Sequence, residues 1–260
     1  MWGLDPLYSL SGFAVGFIVG MTGVGGGSLM TPLLILLFNV HPATAVGTDL
    51  LFAALTKTAG TAVHGGLNKA VDWKIVLKLG LGSVTAAAIT LLVLAGAGGQ
   101  SKDIAHLVGV VLGGMLMVTA LSILFRTELL TLASGARPIS PRLQTLLTVL
   151  FGALLGVMVS ISSVGAGAIG VTVLMMLYPR LPLIRIVATD VAHAVPLTLV
   201  AGVGHWMIGN VEWPLLFSLL AGSIPGIVLA SLFAPRVPEG VIRWLLAAVL
   251  ALVGLKLLMA

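Results

Sequence analysis

Cysteine is absent from the chain, so disulfides, thiolate nucleophiles and thiolate metal ligands are all excluded. Charge is nearly absent as well. Only 8% of residues are Asp, Glu, Lys or Arg, where a soluble domain carries about a quarter. Charge this sparse leaves no surface suited to water and implies lipid as the solvent for most of the chain. The excess of 13 Lys and Arg over 8 Asp and Glu is not a nucleic-acid signature. The basic residues stand singly between apolar runs, as short cytoplasmic loops require. No polar stretch is long enough to form a separate soluble domain. The segment from Met1 to Pro6 has no basic n-region, so no cleaved signal peptide is expected.

What fills the chain instead is apolar sequence, 59% of it, and that sequence is written twice. Gly12, Gly16, Val24, Gly25 and Gly27 return as Gly152, Gly156, Val164, Gly165 and Gly167, a spacing of 140. Thr48-Asp49 returns as Thr189-Asp190, His64 as His205, Val71-Asp72-Trp73 as Val211-Glu212-Trp213, and Gly82-Ser83 as Gly222-Ser223. Two related halves with Gly-broken apolar segments are the usual build of a secondary transporter.

Eight apolar blocks can be drawn, at 7–38, 43–66, 74–97, 104–125, 143–178, 183–208, 213–234 and 240–260. Six suit one crossing each, which takes about 20 residues. The first and fifth would make helices of about 48 and 54 Å, against a hydrocarbon core of about 30 Å. Each carries a Gly cluster near its middle and is predicted to be two short helices joined there, a hairpin returning to its starting side. Loop charge supports this reading. Four simple crossings per half would split the flanking basic residues six against five, with no bias. With a hairpin first in each half, Lys69, Lys74, Lys78, Arg126, Arg137, Arg142, Arg180, Arg185, Arg236 and Arg243 share one side. Only Lys102 and Lys256 then face the other. That is the positive-inside pattern.

The expected fold is therefore an all-α polytopic membrane protein of two inverted repeats, each a Gly-broken helical hairpin plus three transmembrane helices. Residues 1–125 form the first repeat, 126–142 a cytoplasmic linker and 143–260 the second repeat, with both termini outside.

Asp49, Lys57, His64, Asp190, His193 and His205 lie inside or at the ends of apolar helices. A charged side chain at a helix centre costs about 2.5–3.5 kcal/mol on insertion scales, so these groups must face a cavity, a partner or the other half. Asp49 and Asp190 follow loops closely, and helix capping competes with a functional role for both. Asp190 and His193 are three apart and share a helix face. A carboxylate beside an imidazole suits proton handling; a histidine merely satisfied by its neighbour is the alternative. Lys57 lies about 12 Å along the axis from Asp49, too far for direct pairing. It suggests an anion site or a carboxylate from the other half. Its repeat mate is Thr198, so the two-fold is broken there. His64 and His205 come late in their helices and read as interfacial or gating positions.

The Gly clusters are the stronger substrate candidates. A broken helix presents free backbone N–H groups and a positive dipole end, and small residues let an anion approach them. Around Gly25, Gly26 and Gly27 the available hydroxyls are Thr22, Ser28 and Thr31; around Gly165 and Gly167 they are Ser160, Ser162 and Ser163. Tight helix packing is the competing explanation. It suits Gly12-x-x-x-Gly16 and Gly152-x-x-x-Gly156 better than the dense Gly25-Gly26-Gly27 run.

With G-V-G-G-G, A-V-G-T-D-L-L, V-H-G-G before V-D-W, and A-T-D-V-A-H-A-V-P-L-T-L-V-A-G-V-G-H-W laid out, the chain resembles the TauE/SafE sulfite exporter family over about residues 10–258. The resemblance implies a carrier of the bacterial inner membrane that moves sulfite or small organosulfur anions, driven by the proton gradient. Many members look Ser-rich at the position after G-T. Here Asp49 stands in that place and Asp190 matches it, which favours proton carriage by these carboxylates.

The leading expectation is thus a proton-coupled anion carrier with alternating access. Gly25, Gly26, Gly27, Ser28, Thr22, Lys57, Ser162, Ser163, Gly165 and Gly167 would hold substrate, Asp49, Asp190 and His193 would couple protons, and His64 and His205 would gate. Its partners are a small anion, protons and the bilayer, with a homodimer allowed; no cofactor, metal or nucleic acid is implied. One alternative is a carrier of another anion or of a cation. Against the cation stand Lys57 in the membrane and the lack of Cys for soft metals. The other is an intramembrane aspartyl hydrolase, which needs Asp49 and Asp190 adjacent so as to share a proton.

Overall fold

The computed structural model describes residues 5–22, 27–63, 70–97, 101–125, 128, 131, 140–233 and 239–259. Among them are ten helices and no strand. The long first block divides into α1 (Pro6–Thr22) and α2 (Gly27–Phe38), and the fifth into α6 (Pro141–Ser162) and α7 (Ala168–Leu177). The remaining blocks are single helices: α3 (Pro42–Val63), α4 (Trp73–Gly96), α5 (Lys102–Leu124), α8 (Leu183–Met207), α9 (Trp213–Phe233) and α10 (Glu239–Leu258). Polar caps start several of them, since the first N–H groups of a helix have no partner within it. Asp72 accepts from the backbone N–H of Lys74 at 3.1 Å, Ser101 from Ile104 at 3.3 Å and Ser140 from Leu143 at 3.4 Å. Pro141 follows Ser140 at the first helical position, where its missing N–H costs nothing.

Five helices, α4, α5, α6, α8 and most of α9, are long and apolar enough to cross a membrane. The side chains are arranged inside out. Leu92 is 74% exposed, whereas Asp49 and His193 are 0% exposed. Exposed Leu, Ile and Val side chains cover the outer faces of α4, α5, α6 and α10, while Thr, Ser, Asp and His collect in the interior. In lipid this is the stable order, because apolar surface costs nothing outside and polar groups find partners only inside. Trp206 and Trp213 pack edge to face at 5.6 Å, and such aromatics suit the headgroup level.

The packing obeys the repeat. α1 lies along α9 and α4 along α6, so each broken segment rests on a helix of the other half. A β-carbon at Gly12 would strike the Leu219 backbone, and one at Gly152 the Leu79 backbone. Gly16 likewise meets Ser223, and Gly156 meets Ser83. Each pair is the other shifted by 140 in both members. The x-x-x-spaced glycines therefore serve close packing, as their spacing suggested. In both pairs residue numbers rise together, so these helices run parallel.

The repeat mates themselves run antiparallel. Gly47 of α3 meets His205 and Asn210, and Gly202 of α8 meets Leu51. Gly113 of α5 meets Leu258, and Gly254 of α10 meets Leu116. Both broken segments fold back. Tyr8 near the start of α1 packs against Phe38 at the end of α2, with ring centroids 4.8 Å apart. The Thr148 hydroxyl on α6 meets that of Tyr178 after α7 at 2.9 Å. Position 8 corresponds to 148 and 38 to 178.

Candidate functional site

The second break is built by positive backbone angles. Ser163 sits at φ 60° and ends α6, followed by Gly165 at φ 129° and Gly167 at φ 125°. A Cβ is strained at such angles, which accounts for glycine at 165 and 167. Ser162 braces the turn: its hydroxyl donates to the Met158 carbonyl at 2.7 Å and accepts from the Val164 N–H at 3.2 Å. Of the first break, Gly27 opens α2. Gly25, Gly26 and His64 lie outside the described residues, as do the side chains of Thr22 and Ser28.

His205 is buried, with 1% of its surface exposed. Its Nε2–H donates to the carbonyl of Ser160 at 2.8 Å, because a carbonyl only accepts. Ser160 lies in the last turn of α6, where carbonyls have no helical partner. The histidine thus ties the end of α8 to the break.

The two Asp residues come from repeat-mate helices that cross antiparallel, α3 and α8. Asp49 is held by α2: the Thr31 hydroxyl donates to its Oδ2. The Ser163 hydroxyl approaches the same carboxylate from the second break without completing a hydrogen bond. Asp190 is held by α7, and differently. The Gly167 N–H faces its carboxylate, and a β-carbon at Gly170 would overlap its Oδ1. That Oδ1 has no hydrogen-bond partner, nor has Oδ1 of Asp49.

Lys57 joins the two halves. It is half-buried on α3 and interacts electrostatically with both Asp190 and Asp49. From the sequence, Lys57 is too far along the helix from Asp49 for direct pairing and is expected to face either an anion site or a carboxylate of the other half. The structure supplies that carboxylate as Asp190 and keeps Asp49 within Coulombic range. His193 also feels Lys57. Its Nε2, however, bonds the Ser83 hydroxyl of α4 at 2.8 Å, and its Nδ1 has no partner. The hydrogen bond expected between Asp190 and His193 is therefore not made. Pro196 follows within the same helix and removes a backbone donor from its ladder.

Thr48 and Thr189, read only as companions of the Asp residues, have their own task. The Thr189 hydroxyl accepts from the Asp72 N–H at 3.0 Å, and the Thr48 hydroxyl from the Glu212 N–H at 3.1 Å. Each Thr-Asp pair thus clasps the Asp/Glu-Trp motif that starts α4 or α9. Both motifs were visible in the sequence, but nothing in the spacing joined them. Among the described residues no group of three His, Asp or Glu is placed to hold a metal ion.

Long apolar helices, an apolar exterior and a buried charged cluster beside a helix break define a multi-pass membrane protein. The family model described as sulfite exporter TauE/SafE matches residues 8–257, and the chain belongs to that family of membrane transporters. It is 37% identical over 256 residues to the probable membrane transporter protein YjnA of Bacillus subtilis (strain 168), covering 96% of this chain and 98% of that relative. It is 29% identical over 251 residues to the probable membrane transporter protein YdhB of the same organism, covering 95% and 97%. No solved structure matches the chain.

Proposed function

We propose that the chain is a proton-coupled carrier of sulfite or a small organosulfur anion, working by alternating access across the bacterial inner membrane. The observation that carries this reading is the sharing of Lys57 between Asp49 and Asp190, beside a helix break that offers N–H groups and the Ser163 hydroxyl. With both carboxylates ionised and Lys57 charged, the cluster holds one net negative charge and repels an anion. A proton on either carboxylate neutralises it, and the cation and the donors then favour an anion. Substrate and proton would bind together, which is what coupling requires. In this reading Ser162, Ser163, Gly165, Gly167 and Lys57 receive the anion, with Gly25, Gly26, Gly27, Thr22 and Ser28 as first-half counterparts. Asp49, Asp190 and His193 handle protons, and His205 gates the second half through its hold on Ser160.

Two inverted repeats, 1–125 and 143–260, supply the alternating geometry in this proposal, with the 126–142 linker cytoplasmic and both termini outside. Its support is the antiparallel crossing of α3 with α8 and of α5 with α10. Mates related by a two-fold in the membrane plane run in opposite directions.

Two experiments test the proposal. Purified protein in liposomes under a pH gradient is expected to move sulfite or a sulfonate, and transport of none among sulfite, sulfate, thiosulfate, sulfonates and carboxylates would remove the anion reading. Accessibility tags in the 126–142 linker and at the C-terminus are expected on opposite sides of the membrane; labelling from one side would remove the inverted topology.

A further inference from the structure

The start of α7 offers an anion cradle, yet an anion of the protein's own is aimed into it. Asp190 is 1% exposed. Its carboxylate faces the Gly167 N–H, and its unpartnered Oδ1 fills the space that a side chain at residue 170 would need. Any residue but glycine there would push the carboxylate out. Among the described residues the first half differs: Met30 stands where Gly170 does, and Asp49 is held by the Thr31 hydroxyl. The Ser163 hydroxyl, 6% exposed and without a partner, marks a second donor on the same break.

We propose that the Asp190 carboxylate is the resting occupant of the α7 cradle, a tethered competitor that a substrate anion displaces only when Asp190 takes up a proton. Gly170 is the positioning residue that admits it. The inference deepens the carrier reading above and rests on it: it makes one residue the link between anion and proton. On binding, the proton goes to the Asp190 carboxylate and the N–H and hydroxyl donors turn to the incoming anion. On release, Asp190 gives up the proton and returns to the cradle. Among the described residues the charged group that acts on Asp190 is Lys57 of α3, whose other partner is Asp49; His193 of α8 is engaged by Ser83 of α4 instead. α7 carries no titratable side chain. On the α4 side the Asp72 carboxylate turns to Arg185 at 3.8 Å.

The test uses full-length protein in lipid nanodiscs with methanesulfonate, which stays fully ionised throughout, and with sulfite, sulfate and thiosulfate for comparison. Affinity and proton uptake per anion bound are read from roughly pH 4 to pH 8, the range of carboxylate and imidazole titration. For the wild type, affinity is expected to fall by up to about tenfold per pH unit as Asp190 ionises, with about one proton taken up per anion. Asp190→Asn is expected to bind at every pH as the wild type does at low pH, with no proton uptake. Gly170→Ala, which expels the carboxylate, is expected to flatten the pH dependence while Asp190 is still present. An Asp190→Asn protein that keeps the wild-type slope, or one that folds but binds nowhere, would overturn the tethered competitor alone. If that variant does not fold, Gly170→Ala decides, and an unchanged slope overturns the proposal. A wild type that binds none of the four anions removes the carrier reading and this inference with it.

Discussion

Lys57→Met is expected to lower anion affinity by about a hundredfold and to reduce transport with it, measured by binding and flux in reconstituted membranes. Removing one partner of a buried charge cluster costs about 3–5 kcal/mol, most of it from the charges left behind. Here two carboxylates are left, Asp49 and Asp190, without the ammonium they share. They can relax only by taking up protons, so the loss is expected to be worst at high pH. Lys57→Arg keeps the charge and should recover a substantial part of the binding, because the cluster needs a cation more than it needs an ammonium. Unchanged affinity in Lys57→Met would make Lys57 a structural counter-ion without a role in anion binding.

Gly152→Leu and Gly12→Leu are each expected to prevent stable accumulation of the protein, read as loss of a monodisperse peak and of cooperative thermal unfolding in detergent. The obstruction is backbone, that of Leu79 for Gly152 and of Leu219 for Gly12, and backbone cannot change rotamer to make room. Overpacking that side chains absorb costs about 1–3 kcal/mol, and parting two helices along their length costs more. Gly80, Gly109 and Gly114 are the internal controls, with nothing within 4 Å of an added β-carbon. Alanine at those three is expected to change stability by no more than about 1 kcal/mol. Equal tolerance at Gly152 and Gly80 would show that α4 and α6 do not touch as described.

Much of this architecture is legible in the residues. A block too long for one crossing, with glycines at its middle, had to break, and α6 and α7 meet at that point. Intramembrane charge is costly enough that Asp49, Lys57 and Asp190 each had to face a cavity, a partner or the other half, though the sequence left open which. Other features had no sequence signal. Helical periodicity shows which face of α1 is small, but not that α9 lies on it; only the 140-residue spacing, applied to both members of a contact, would have paired Gly12 with Leu219. The clasp from Thr48 to Glu212 joins two motifs 164 residues apart through a backbone donor, which leaves no mark in side-chain type. The preference of His193 for Ser83 over Asp190 turns on the side of α8 that faces α4, and a three-residue separation along α8 is silent about that. Gly170 is one small residue in an apolar run, and the closeness of Asp190 Oδ1 to it depends on how α7 packs against α8, which the sequence does not mark.

The most direct test of proton-coupled anion transport reverses the usual driving force. Liposomes containing the protein and a pH indicator receive a sulfonate gradient with no pH gradient, and interior pH is followed together with sulfonate flux. The account predicts a pH change that tracks the flux in the wild type and is lost in Asp190→Asn. Sulfonate flux with no movement of protons would contradict it.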